Sequence, residues 1–289
     1  MAKKKAAVKK PAHETYIASA KVAAKKLGSA AAASAYKIEV RFLGGLNTAQ
    51  KNAFKAAADR WTKVITGDLP SVQVDGEIVD DLLILAQGVD IDGPGQILGQ
   101  AGPTHLRPAS AGTSAFLPVK GIMSFDTADL AKMQQDGTLK DVITHEMGHV
   151  IGIGTIWALK NKMKGAGTTN PRFTGAGAKT EFGKLKHGAA AEVPVENTGG
   201  AGTRDGHWRE SVFRNELMSG FIAAPGNPLS RMTVASLKDL GYSVDPSKAE
   251  AYNLPDLFAI AAAGTGTTHA HPHAMPVVPI TLPDSALVP

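Results

Sequence analysis

Thr144-His145-Glu146-Met147-Gly148-His149-Val150-Ile151-Gly152 carries most of what metal-assisted hydrolysis needs. On a helix, residues four apart lie one turn above each other on the same face. His145 and His149 therefore direct two imidazoles at one point. Glu146 projects beside them, where a carboxylate can take a proton from a metal-activated water. The bland alternatives are a structural metal site or a chance occurrence of the pattern. The spacing favours a hydrolytic metalloenzyme, with a peptide bond as the expected target.

A third ligand decides which kind. Catalytic zinc usually has three protein ligands and one position open to water. In the short pattern H-E-x-x-H-x-x-G-x-x-H, a third His follows the Gly by three residues. Gly152 is present and suits a helix stop, since it can adopt the left-handed conformation that turns the chain away. The third position, however, is Thr155. The open candidates are His187 and His207 downstream, His105 upstream, and His269, His271 and His273 near the C-terminus.

The helix bearing the two histidines is expected to open at Thr138, where Thr138-Leu139-Lys140-Asp141 fits a capping box. Leu139, Val142, Ile143, Met147, Val150 and Ile151 would bury it while the histidines face a cleft. Upstream, Tyr36 to Phe42 alternates as a half-buried strand, and order is expected to begin there. Residues 47–66 read as an amphipathic helix capped by Asn47 or Thr48. Leu82 to Ala86 is apolar throughout, as in a strand covered on both faces. Asp90-Ile91-Asp92-Gly93-Pro94-Gly95 is a tight acidic turn whose oxygens would also suit Ca2+, with a plain turn the simpler reading. Residues 160–206, rich in Gly, Lys, Ala and Thr, read as a largely irregular insertion and a mobile wall near the cleft. Residues 230–241 read as a late helix.

Gly206-His207-Trp208 through Glu216-Leu217-Met218 resembles the third-ligand and Met-turn region of the leishmanolysin family of metzincins. In that family an insertion separates the helix-ending Gly from the third His. Asp92 to Pro103, and Ser230 to Tyr242 with its D-L-G-Y ending, resemble further stretches of bacterial members in the same order. The resemblance spans about residues 36–244. It implies His145, His149 and His207 as ligands of one catalytic Zn2+, Glu146 as the base, and Met218 as an apolar floor under the metal. Gly152 would be the supporting helix stop. It also implies an α+β, two-subdomain zincin: a mixed twisted sheet with an active-site helix, then a smaller, more irregular C-terminal part. By the same analogy, Gly121 to Asp126 would be the antiparallel edge strand that receives substrate. Where some metzincins supply a Tyr after the Met, Ser219 and Gly220 stand here. Characterised leishmanolysins are disulfide-rich and held latent by a cysteine, whereas this chain has no cysteine.

The net charge of +5 is unevenly spread. Residues 1–35 hold eight Lys and one Glu, so the other residues sum to −2. A basic, disordered tail over 1–35 is expected, then a catalytic domain over 36–244 (divided at 154/155) and a Pro-, Ala- and His-rich extension over 245–289. The charge gives no reason to expect a specific nucleic-acid partner. No apolar run approaches the roughly 20 residues of a membrane span, and no standard secretory signal is evident. An extracytoplasmic or secreted role by a non-standard route is expected over a cytoplasmic one, and a monomer acting on protein or peptide. The rival readings are a zinc amidase on non-protein substrates and a noncatalytic module in which zinc only holds the fold.

Overall fold

The computed structural model describes residues 13–21, 35–256 apart from Pro94, Gln96, Ala201 and Ala223, then 274–275 and 277–288. In chain order the first elements are β1 (Glu14–Ser19), β2 (Lys37–Gly44), α1 (Thr48–Val64), β3 (Val72–Val74) and β4 (Glu77–Val79). Next come β5 (Leu82–Val89), β6 (Gly99–Leu106), β7 (Pro118–Asp126), α2 (Thr127–Asp136) and α3 (Leu139–Ile151). Then follow β8 (Met163–Lys164), β9 (Arg172–Phe173), α4 (Ala176–Leu185), β10 (Val193–Pro194), α5 (Glu210–Phe213) and α6 (Arg231–Leu240). Two short strands, β11 (Ala274–Met275) and β12 (Ile280–Thr281), complete the series.

Seven strands form a mixed sheet in the order β1-β2-β5-β7-β6-β11, with β12 also paired to β6. β2, β5 and β7 are mutually parallel, while β1 and β6 run antiparallel to their neighbours. β5 is apolar from Leu82 to Ala86 because both of its faces are covered there. Leu82, Ile84 and Ala86 enter the large core shared with α1 and α3. Leu83 packs with Val72, Val74, Val79, Val119 and Ala286 on the opposite side. The α1 helix opens with a capping box between Asn47 and Gln50. Its buried Trp61 donates from Nε1 to the Thr144 carbonyl at 2.9 Å, which ties α1 to α3 one residue before the first histidine. The α6 helix ends at Gly241, and the next residue, Tyr242, donates from its hydroxyl to the Ile151 carbonyl at 2.8 Å. The architecture is mixed α and β around a mixed sheet, consistent with α+β.

Several expectations are corrected. Order does not begin at Tyr36: β1 lies within the span read as a tail and pairs with β2 from Glu14↔Phe42 to Ser19↔Lys37. Its side chains are mostly exposed, so it has little apolar signal; backbone pairing holds it. The segment after Asp245 likewise returns to the body, with β11 and β12 on β6 and Ala286 in the second core. Thr138 makes no side-chain cap: α2 stops at left-handed Gly137, and Thr138 enters α3 already helical. Asp141 instead accepts from the backbone of Gly226 at 2.6 Å and pairs with Arg60 at 3.4 Å. Residues 160–206 are largely irregular, as expected, but they also hold α4 and the small β10-β9-β8 sheet around buried Phe173, Phe182 and Val193. Nor is β7 an edge strand, because β5 and β6 flank it.

Candidate metal centre

α3 ends at Gly152, whose φ of 118° is the left-handed conformation that glycine favours. The turn that follows brings the Ile153 carbonyl back to His149, 2.9 Å from its Nδ1. The Nδ1 of His145 meets the Leu217 carbonyl at 2.7 Å, and that of His207 meets the Thr203 carbonyl at 2.8 Å. A carbonyl can only accept, so each Nδ1 carries the hydrogen and each Nε2 keeps a lone pair. The three Nε2 atoms lie 2.9, 3.1 and 3.1 Å apart.

Three acceptor lone pairs facing one another repel in a buried site. A cation among them removes the conflict. The spacing suits zinc, because one point can lie roughly 2.0–2.1 Å from all three nitrogens. Burial also pushes His149 down to about 4, so its imidazole stays neutral and able to ligate. Among the described residues, His145, His149 and His207 form the one histidine group with metal-binding spacing.

The delivery of His207 is less regular. Gly154 lets the Gly206 backbone approach so closely that a Cβ on residue 154 would lie 2.0 Å from the Gly206 carbonyl oxygen. Glu196 donates its backbone N–H to the His207 carbonyl at 2.9 Å. Trp208 donates its backbone N–H to the Met218 carbonyl at 2.9 Å, stacks on Trp157, and bonds through Nε1 to Thr233 at 2.8 Å. Met218 is fully buried against Gly148: a Cβ there would meet its Sδ at 2.7 Å. The residue therefore lies under the helix turn between the two α3 histidines.

Two buried carboxylates brace this part. Glu216 accepts from the Met218 backbone at 2.6 Å, the Ser230 hydroxyl at 2.6 Å and the Ser230 backbone at 3.2 Å. Glu196 accepts from Asn197, Thr198 and Glu210 backbone N–H groups at 2.7–2.9 Å. Neither role was anticipated from the sequence, where Glu216 follows Arg214-Asn215 and nothing beside it marks a buried carboxylate.

Glu146 is 4% exposed, and burial pushes its carboxyl up to about 8. It lines two adjoining cavities. One is apolar, with Leu98, Met133, Val142 and Ile222; the other is polar, with His149, Thr155, Arg204 and His207. Thr155, at the short pattern's third-ligand position, instead donates to the His149 carbonyl at 2.8 Å. His187 is exposed, with φ 53°, beyond α4, and His105 sits on β6 beside the Thr104 hydroxyl. Neither belongs to the histidine group. His269, His271 and His273 lie outside the described residues. The Asp90–Gly95 turn is organised by Asp126, which accepts from the Ile91, Asp92 and Gly93 backbones at 2.8–3.3 Å. Among the described residues, Asp90 and Asp92 join no group with metal-binding spacing, so calcium has no support there.

A family model described as leishmanolysin, peptidase M8, matches residues 112–257, half of the chain. The chain belongs to the leishmanolysin family. The matched span includes α3, His207, Met218 and α6. The leishmanolysin of Leishmania tropica is 27% identical over 145 residues, covering 46% of this chain and 21% of that protein. Those of Leishmania chagasi and Leishmania major are 29% and 28% identical over 147 residues, again 46% of this chain and 23% of theirs. The match thus spans less than a quarter of these leishmanolysins. Among the described residues no helix is long and apolar enough to cross a membrane.

Proposed function

We propose that this chain is a zinc-dependent endopeptidase in which His145, His149 and His207 hold one metal ion and Glu146 is the base. The observation that carries the reading is the set of three Nε2 lone pairs within 3.1 Å of one another, with a buried carboxylate on the next residue to His145. Bound there, zinc polarises a carbonyl and lowers the pKa of a water from 15.7 to about 7.

The chain's own residues do the rest. The Leu217, Ile153 and Thr203 carbonyls hold the rings in the ligating tautomer, so no reorganisation is needed on loading. Glu146 accepts the proton of the attacking water as its oxygen bonds to the scissile carbonyl carbon. It then delivers that proton to the departing amine nitrogen as the C–N bond breaks. Its position between two cavities suits a chain that continues on both sides of the scissile bond, which favours an endopeptidase over an amidase on small substrates. Ser219 supplies no oxyanion donor, because its hydroxyl donates to the Glu216 carbonyl at 2.9 Å.

Casein cleavage by the zinc-loaded protein tests this. Cleavage should vanish with a chelator, return with zinc, and be lost in Glu146→Gln while one zinc per chain stays bound. Unimpaired cleavage by Glu146→Gln would refute the assignment of the base. Zinc binding with no cleavage by the native chain would favour the noncatalytic module.

A further inference from the structure

β6 packs against α3, and its Ala101 lines the same cavity as Glu146, His149 and His207. The outer edge of β6 is taken by the chain's own C-terminal residues. β11 runs parallel to Gly99 and Gln100, and β12 runs parallel to His105 and Leu106. Between them Val277 stands over Gly102, with its Cβ 3.0 Å from where a Gly102 Cβ would be. Val277 also lines the metal-centre cavity.

This segment has a firm end and a loose middle. Past the cleft, Leu282 donates to the Leu106 carbonyl and Val288 to the Ser71 carbonyl, both at 3.0 Å. Ala286 and Leu287 pack into the second core. Over β6, by contrast, Val278 is 89% exposed and Ile280 65% exposed, so these large apolar side chains anchor nothing. Pro279 and Pro283 have no N–H to give, which interrupts the ladder. A strand edge with free backbone groups is a template for an extended peptide. This edge, beside Glu146, is the one such a peptide would use.

We propose that residues 277–281 form a strap over the peptide-accepting edge of β6, so that an extended substrate must displace them before reaching the metal centre. The inference rests on the peptidase reading and adds regulation to it. The strap acts as an intramolecular competitor: it raises KM and leaves kcat unchanged.

The chain has no cysteine, so the full-length variant Gly102→Cys/Val277→Cys can lock the strap by oxidation. Fluorescein-labelled casein serves as substrate and, in the added Glu146→Gln background, as a ligand for a binding measurement. Oxidation should raise KM and weaken binding at least about tenfold, reversed by a phosphine reductant, with neither single-cysteine variant responding. Ile280→Pro, at an exposed position, should lower KM about threefold at unchanged kcat. A synthetic peptide of residues 274–288 should compete with casein on Ile280→Pro. Equal binding and equal KM in the oxidised and reduced double variant would overturn the proposal. If no variant cleaves casein but the lock still weakens binding, the peptidase reading fails and the strap stands.

Discussion

The two parts of the candidate metal centre are built on opposite plans. His145 and His149 come from α3, a 13-residue helix whose periodicity alone places both rings. His207 comes from a stretch between β10 and α5 in which no long helix or strand fixes the backbone. There Glu196 and Glu216, both buried, collect backbone N–H groups that regular structure would otherwise satisfy. The helix half is positioned by local geometry, whereas the loop half is positioned by buried charge and side-chain hydrogen bonds. The first follows from the helical repeat; the second depends on a few particular atoms.

The largest expected effect lies on the helix side and is chemical. Glu146→Gln should lower kcat for casein by roughly 10²–10⁴-fold, because under the proposed function it deletes the proton acceptor. Thermal unfolding of the variant should be unchanged or higher, since a buried carboxyl has been replaced by a neutral group. A stability loss comparable to the activity loss would show that the helix half is as fragile as the loop half. On the loop side, Glu216→Ala leaves the Met218 and Ser230 donors unsatisfied in the interior. It should cost about 3 kcal/mol or more in chemical denaturation, with a measurable loss of zinc affinity. Thr233 also bonds this carboxylate, so Glu216→Gln should recover only part of the loss.

Gly148→Ala probes the contact between the halves. The new methyl would meet Met218 Sδ at 2.7 Å and Trp61 Cζ2 at 2.9 Å. Overpacking of this kind costs about 1–3 kcal/mol, and the gain in helix propensity offsets about 1 kcal/mol of it. A net loss of up to about 2 kcal/mol in urea unfolding is expected. A stabilising outcome would mean that Met218 does not form a tight floor.

The same contrast explains what the sequence made legible. A 3.6-residue period, a Gly stop and an apolar face are local signals, so α3, α1 and α6 were readable to within two residues at their ends. His207 was one of several candidates until the neighbouring H-W and E-L-M residues were compared with a family, because its position depends on partners far away in sequence. Glu196 and Glu216 gave no sign of their bracing roles, since a carboxylate's partners are not written beside it. β1 and the C-terminal strap were read as tails for a related reason. They are held by backbone pairing to distant strands, and an edge strand with exposed side chains lacks the apolar alternation that marks a buried one.

The smallest effect separates the halves by pH. Burial alone would raise the Glu196 carboxyl, but hydrogen bonds from Thr198, Glu210 and Asn197 outweigh it and hold the group below the ordinary glutamate range. A carboxylate depressed in the folded state contributes stability above its unfolded pKa of about 4.3, and that contribution is lost as pH falls through the folded value. The loop half should therefore loosen below about pH 4.3. In metal-free protein, where loss of zinc cannot intrude, amide exchange of residues 196–210 should rise on acidification relative to α3. Glu196→Gln should be less stable at pH 7, since its amide N–H2 replaces one acceptor, and should show a shallower decline towards acid. The two slopes coincide only if the hydrogen bonds at Glu196 leave its ionisation unlinked to folding, and then the contrast between a helix fixed by geometry and a loop fixed by charge would not hold at this residue.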